Sequence, residues 1–88
     1  MTLPAEIVYG HRFDVEFFAL PVSVQEEIDA KTVWLATRLD TFPHKRLQGS
    51  RAFRLRVGVY RVIYTFDPGA RVLYLATVGH RREIYSDL

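Results

Sequence analysis

Residues 51–66 read RAFRLRVGVYRVIYTF, and this stretch decides the fold. Its first half alternates Phe53, Leu55 and Val57 with arginines, and a period of two is typical of a β-strand with one buried face. A Gly-Val step follows, and then a run rich in β-branched and aromatic residues begins. Such a pattern predicts two antiparallel strands joined by a tight turn.

The segment that follows predicts a third strand. Asp67-Pro68-Gly69 is a strong turn signal. Residues 71–78 are apolar on both faces, which is typical of a strand in the interior of a sheet. We expect Gly79-His80-Arg81-Arg82 to end this strand. The second half of the chain is therefore a three-strand antiparallel meander.

The first half begins with a short strand and a helix. Residues 5–9 read as a strand that Gly10 closes. Phe13, Phe17 and Leu20 then recur at helical spacing, and we expect Pro21 to end that helix.

A second helix is predicted up to about residue 39, before Pro43. Ser23 followed by Glu26 matches a capping box at its start. Its apolar stripe consists of Val24, Ile28, Leu35 and Leu39. The two helices read as an antiparallel hairpin with an acidic outer surface.

These elements predict an α+β fold with an N-terminal strand, a helix hairpin and the meander. The helices cover one sheet face. The other face is left open, and Arg54 and Arg56 point to it because they alternate with the apolar residues.

Composition limits the class of protein. The 88 residues suffice for one domain, residues 1–88, and 49% hydrophobic residues exclude disorder. Without cysteine there is no disulfide, thiol catalysis or zinc–sulfur site. No apolar run approaches the roughly 20 residues that span a bilayer, and the N-terminus does not resemble a signal peptide. We expect a cytoplasmic protein with no membrane contact.

Charge is unevenly distributed behind a net value of +2. Residues 1–30 contain six acids and one base, whereas residues 31–88 contain eleven bases and four acids. Ten of the twelve basic residues are arginines, whose planar fork matches phosphate oxygens. Residues 41–66 contain no acid and six bases, namely Lys45, Arg46, Arg51, Arg54, Arg56 and Arg61. This pattern favours an anionic partner such as a nucleic acid.

Four segments in one order resemble the toxins of the RelE/ParE superfamily, the toxin half of type II toxin–antitoxin pairs. They are Arg46-Leu47-Gln48-Gly49, residues 53–57, residues 60–64 and residues 78–85. RelE-type messenger-RNA endonucleases match best. The resemblance implies a RelE-like fold and a ribosome-dependent endoribonuclease that uses no metal or cofactor. It also implies a cognate antitoxin, the ribosome and mRNA as partners, and promoter DNA only through the antitoxin complex.

The resemblance also implies site residues. The catalytic set is Arg54, Arg61, Arg81 and Tyr85, and the RNA- and phosphate-binding set is Lys45, Arg46, Arg51, Arg56, His80 and Arg82. RNA carries its own nucleophile, the 2′-hydroxyl, and guanidinium groups can stabilise the charge that develops at phosphorus. Because arginine does not release its proton, proton transfer falls to Tyr85, to His80 or to a ribosomal group.

Two other functions fit the same sequence. A ParE-like toxin would bind and poison DNA gyrase, and such toxins can also carry a His-Arg-Arg cluster after the last strand. The third reading is an inactive binding module with the toxin fold. Tyr85 together with Arg54, Arg56 and Arg61 favours the endonuclease, because a gyrase-binding protein has no chemical need for that cluster.

Overall fold

A computed structural model describes residues 3–87, so residues 1, 2 and 88 of the predicted domain lie outside the described range. The described elements are β1 (Glu6–Tyr9), α1 (His11–Phe18), α2 (Val22–Ala36), β2 (Lys45–Arg46), β3 (Phe53–Val57), β4 (Tyr60–Asp67), β5 (Val72–His80) and a 3₁₀ turn (Ile84–Asp87). The sheet order is β1-β5-β4-β3-β2. β1 runs parallel to β5, and the other neighbours are antiparallel. The α+β class, the meander and the interior position of the third predicted strand, β5, are confirmed.

One core holds the helices against the sheet. The apolar stripes of both helices contribute to it, with Phe13 and Phe17 on α1 and Ile28 and Leu35 on α2 buried. Their sheet partners are Leu55, Val57, Val62, Tyr64, Leu73, Leu75 and Val78. The arginines of β3 alternate with these residues and are exposed. The helices therefore leave the arginine-bearing face accessible.

β1 leaves the sheet at Gly10, where the backbones approach closely. The Gly10 N–H donates to the Leu75 carbonyl at 2.8 Å, and a Cβ at Gly10 would lie 2.9 Å from that oxygen. Beyond this point α1 borders β5. The Glu16 carboxylate accepts hydrogen bonds from the Thr77 hydroxyl and from the Val78 N–H, the latter at 3.3 Å. Glu16 therefore satisfies an amide on the edge of β5 that β1 no longer covers.

Both predicted limits of the second helix are wrong. Pro21, not Ser23, occupies the N-cap, and no side chain caps the helix. The Pro21 carbonyl accepts the N–H groups of Val24 and Gln25 at 3.0 Å, so Ser23 already lies in the first turn. The helix ends at Ala36, although the buried stripe continues to Leu39 in the turn that follows. Apolar periodicity therefore overestimated the helix by about one turn.

The expected end of the third strand is also wrong. Gly79 and His80 belong to β5, because they pair with Arg61 and Tyr60 of β4. The pairing continues into Arg81, whose N–H donates to the Val59 carbonyl at 2.8 Å. Backbone hydrogen bonding to β4 therefore keeps Gly79 and His80 in the strand, although their composition is typical of a turn.

The sequence predicted that the second sheet face is open, and this prediction is wrong for part of the face. Ile84 of the 3₁₀ turn packs with Leu47 and Ile63 in a small cluster on this face, and all three are buried. Two-residue β2, which the sequence analysis missed, extends the same sheet beyond β3. The uncovered part of the face is bordered by these two elements.

Candidate functional site

Two rows of side chains cross the uncovered sheet face. Lys45, Arg54 and Ile63 lie opposite one another on β2, β3 and β4. In the next row Arg56 faces Arg61, which itself pairs with Gly79. Residues directly opposite in antiparallel strands project to the same side, and like charges in such pairs are destabilising. Two of these pairs, Lys45–Arg54 and Arg56–Arg61, join like charges.

The basic side chains of these rows, Lys45, Arg54, Arg56 and Arg61, line a cavity of about 890 Å³, which we call the basic cavity. Seven of its lining residues carry a positive charge and none carries a negative one. The lining consists of Lys31, Phe42, Pro43, Lys45, Arg54, Leu55, Arg56, Arg61, Arg81, Arg82 and Tyr85. The structure thus brings together seven of the ten predicted site residues.

Within the described part of the chain, no salt bridge neutralises the positive charge of the basic cavity. Among the described side chains of residues 3–85, no carboxylate forms a salt bridge with any of its lysines or arginines. No group of three or more metal-ligating side chains occurs in this part of the chain either. An anionic ligand would therefore supply the missing countercharge.

Arg61 is oriented by the turn that joins β3 and β4. Its Nη1 donates to the Gly58 carbonyl at 3.0 Å and to the Tyr60 carbonyl at 2.8 Å. Gly58 has a φ of +59° in this two-residue connection, the left-handed conformation that glycine favours at the first position of a type II′ hairpin. The same turn binds the Arg81 backbone through Val59. One tight turn therefore positions both arginines.

Tyr85 is held at the cavity by its neighbour Ile84. Ile84 is 3% exposed, and its Cδ1 lies 3.1 Å from where a Cβ on Gly79 would be. Glycine at this position of β5 gives the turn room to approach the sheet. Tyr85 itself is 39% exposed and lines the basic cavity beside Arg54.

Three predicted site residues lie outside the basic cavity. Arg46 stacks over the Phe53 ring at 5.4 Å, and Arg51 is exposed in the loop before β3. His80 contacts the edge of the Tyr60 ring, and its Nδ1 accepts the Arg82 N–H at 3.1 Å. This contact gives His80 a structural role in the turn after β5.

Four lining residues were missed in the sequence: Lys31, Phe42, Pro43 and Leu55. Lys31 projects from α2, where its Nζ lies 4.2 Å from the centre of the Trp34 ring, and Arg38 lies 4.0 Å from the same ring. The spacings of three and four residues were a visible signal for these contacts. Nothing in the sequence pattern indicated that α2 reaches the site.

His44 anchors the chain just before the cavity. Its Nε2 lies 2.8 Å from the Leu39 carbonyl, and its Nδ1 lies 2.6 Å from the Tyr64 hydroxyl. Because a carbonyl only accepts, Nε2 is the donor to Leu39, and in that tautomer Nδ1 accepts the Tyr64 hydroxyl. Burial raises the pKa of the Tyr64 hydroxyl, which keeps this donor protonated.

The fold matches RelE toxins in several solved structures. The Mycobacterium tuberculosis RelBE2 complex has a TM-score of 0.75 at 19% identity, over 94% of this chain and 98% of that one. The isolated E. coli RelE toxin has a TM-score of 0.74 at 23% identity, over 94% and 93%. The archaeal RelE–RelB complex from Pyrococcus horikoshii has a TM-score of 0.74 at 18% identity, over 92% and 99%. These likenesses define a RelE-type toxin fold.

The sequence identifies the family more directly. The family model for the ParE toxin of the type II toxin–antitoxin system parDE matches residues 15–85. No curated protein sequence gives a significant match. The chain belongs to the ParE toxin family, and thus to the RelE/ParE superfamily of type II toxins. Within residues 3–87, neither helix is long and apolar enough to cross a membrane.

Proposed function

We propose that this toxin is a ribosome-dependent mRNA endonuclease whose active site is the basic cavity. The observation that carries the proposal is that two cross-strand pairs in register, Lys45–Arg54 and Arg56–Arg61, join like charges in a cavity whose lining contains no carboxylate. Such repulsion lowers stability and is relieved when a polyanion binds. RNA fits this charge and also brings its own nucleophile.

The cleavage step uses the groups already in the cavity. The RNA 2′-oxygen attacks phosphorus and gives up its proton, the bond from phosphorus to the 5′-oxygen breaks, and that oxygen takes up a proton. The products are a 2′,3′-cyclic phosphate and a 5′-hydroxyl end. Arg61 and Arg81 stabilise the charge on the phosphorane, while Arg54, Arg56, Lys45 and Arg82 bind phosphates.

We assign the proton exchange to Tyr85. Arginine side chains keep their protons, and His80 already accepts the Arg82 N–H. Tyr85→Phe keeps the ring but removes the hydroxyl, so cleavage should fall by about 10²- to 10⁴-fold. Lys45 is a second group in the cavity that can exchange a proton. Lys45→Arg keeps its positive charge but removes this ability. If Lys45→Arg abolishes cleavage and Tyr85→Phe does not, the assignment is wrong.

The proposed partners follow from the same reaction. Translating ribosomes would present the mRNA, which puts the activity in the cytoplasm. Several structures with this fold are complexes with RelB antitoxins, which supports a cognate antitoxin here as well. We expect such an antitoxin to bring the pair to promoter DNA.

The test is primer extension on a defined message in a purified translation system. Wild-type protein should cut within codons only when ribosomes translate the message. Arg81→Ala should cut much less, whereas Arg71→Ala, an arginine outside the basic cavity, should cut like the wild type. An intact message in the wild-type reaction would contradict the proposal.

Gyrase poisoning is the second candidate, because the matching family model is that of ParE toxins. The two candidates give opposite results in two assays. A gyrase poison would inhibit plasmid supercoiling and leave the message intact. An mRNA endonuclease would leave supercoiling unchanged at concentrations that cleave the message.

A further inference from the structure

A second cavity adjoins the basic cavity and has different chemistry. Its volume is about 640 Å³, and Arg54 and Tyr85 form a wall common to both cavities. Apart from Arg54, its lining carries no charge. We call it the loop cavity, because residues 47–50 form much of its wall.

The loop cavity combines an apolar floor with a polar rim. Leu47, Ala52 and Ile63 line the floor, and Leu47 and Ile63 are only 8% and 2% exposed. Gln48 and Ser50 belong to the rim. An apolar surface beside hydrogen-bonding groups suits the uncharged part of a nucleotide, its base, better than a phosphate.

The loop itself is ordered by internal hydrogen bonds. The Leu47 N–H donates to the Ala52 carbonyl at 2.9 Å, and the Ser50 hydroxyl accepts the Ala52 N–H at 3.0 Å. Gly49 has a φ of +73°, which closes the turn. The Gln48 side chain is exposed and has no hydrogen-bond partner within residues 3–87. A fixed loop thus presents an amide whose donor and acceptor are both unused.

We propose that the loop cavity binds the nucleobase next to the cleaved phosphodiester and that Gln48 recognises its edge. The inference rests on the proposed function. Arg54 on the common wall would contact the phosphate on one side, while the attached base enters the loop cavity on the other. An amide pairs best with a base edge that offers a donor beside an acceptor, as adenine does. Gln48 therefore sets a base preference at one position beside the cut.

The test maps every cut in a message library translated by purified ribosomes, with two variants. Gln48→Ala should weaken the base preference at one flanking position by roughly five- to tenfold. Gln48→Glu, which only accepts, should shift the preference towards bases with an exposed amino group, such as cytosine. Glu26→Gln, an exposed position on α2 outside both cavities, is the control and should leave the distribution unchanged.

The possible results separate this inference from the proposed function. If both Gln48 variants cut with the wild-type base distribution, or cut less with the same distribution, the recognition role is wrong and the endonuclease stands. If the wild type cuts no message, the endonuclease function and the recognition role of Gln48 are both wrong. A circular-dichroism melting curve for each variant shows whether it is folded.

Discussion

In the proposed reaction, Arg61 would stabilise charge at phosphorus with a guanidinium that is already oriented in the free protein. Two carbonyls hold its Nη1 at 2.8–3.0 Å. A preorganised donor of this kind contributes far more to catalysis than a freely rotating one, because no reorganisation is needed during the reaction.

Removing this guanidinium should affect cleavage more than stability. We expect Arg61→Ala to lower the single-turnover cleavage rate by about 10²-fold. Arg61→Lys should recover only part of the rate, since an ammonium lacks the planar fork. A rate within threefold of wild type for Arg61→Ala, in a folded protein, would remove Arg61 from the reaction.

The Tyr64 hydroxyl stabilises the fold through His44. Tyr64→Phe would leave the partly buried His44 Nδ1 without its hydrogen-bond partner, so we expect the free energy of unfolding to fall by about 1–3 kcal/mol. Urea denaturation measures this loss. Tyr74→Phe is the matched control: Tyr74 is 46% exposed, and its loss of a hydroxyl should change stability by less than about 0.5 kcal/mol.

Because of Tyr64, we also expect the folded protein to lose stability at alkaline pH. Burial raises the pKa of Tyr64 above its ordinary value of 10.0, so the folded state retains this proton more strongly than the unfolded state does. Its contribution is complete below pH 10.0 and is lost as the pH rises further. The pKa of Tyr9 is raised too, by burial and then by Asp29 and Asp14.

Urea unfolding at about pH 8 and about pH 11 checks the alkaline effect. The wild type should lose more stability between these values than Tyr64→Phe, which has no hydroxyl to titrate. Equal losses in the two proteins would show that Tyr64 does not cause the effect.

At the scale of elements, the 3₁₀ turn depends on one buried side chain. Ile84→Ala should release the turn that carries Tyr85 and lower cleavage about as much as Tyr85→Phe. Ile84→Val, which preserves most of the packing, should restore most of the rate. Cleavage assays with a melting curve for each variant measure both effects.

Gly79→Ala provides an independent check of this packing. Its new Cβ would lie 3.1 Å from Ile84 Cδ1, so the Ile84 side chain has to move by a few tenths of an ångström. Full activity in both Gly79→Ala and Ile84→Ala would mean that the position of Tyr85 does not matter for cleavage.

Local patterns predicted the elements well where side chains alternate or recur regularly. The meander followed from the alternation in residues 53–57 and from the turn at Asp67-Pro68-Gly69. The end of β5 was wrong because backbone pairing with β4 continues through Gly79 and His80. The short β2 was missed because two residues carry no periodicity, and only their pairing with β3 defines them.

Part of the candidate site was predictable from the alternation of side chains along the strands. Strand parity put Arg54 and Arg56 on one face, and the structure gathers Arg61, Arg81 and Tyr85 with them. Lys31 enters the site through the tertiary placement of α2, which sequence spacing does not contain. The loop cavity likewise arises from the packing of Ile84 on Leu47 and Ile63, three residues far apart in the chain.

At the scale of the whole molecule, acidic side chains concentrate on the helices and basic ones on the exposed sheet face. Binding to RNA should therefore depend strongly on salt, with log K falling by about 0.7 per phosphate contact for each unit of log salt concentration. Arg56→Ala should make the slope shallower by about 0.7, and Glu26→Gln should leave it unchanged. Fluorescence anisotropy of a labelled single-stranded RNA with 2′-O-methyl sugars measures the slope without cleavage, because the nucleophilic hydroxyl is blocked. A slope that Arg56→Ala does not alter would exclude a phosphate contact at this residue.

The central claim is that the basic cavity cleaves RNA by attack of its own 2′-hydroxyl. The most direct measurement uses two messages that differ by one oxygen, the 2′-hydroxyl on the 5′ side of a mapped cut, on translating ribosomes. The account predicts a cut with a 2′,3′-cyclic phosphate end in the ribose message, no cut at that position in the deoxy message, and a much weaker cut of the ribose message with Arg81→Ala. Cleavage of the deoxy message at the same position, or equal cleavage by Arg81→Ala, would contradict it.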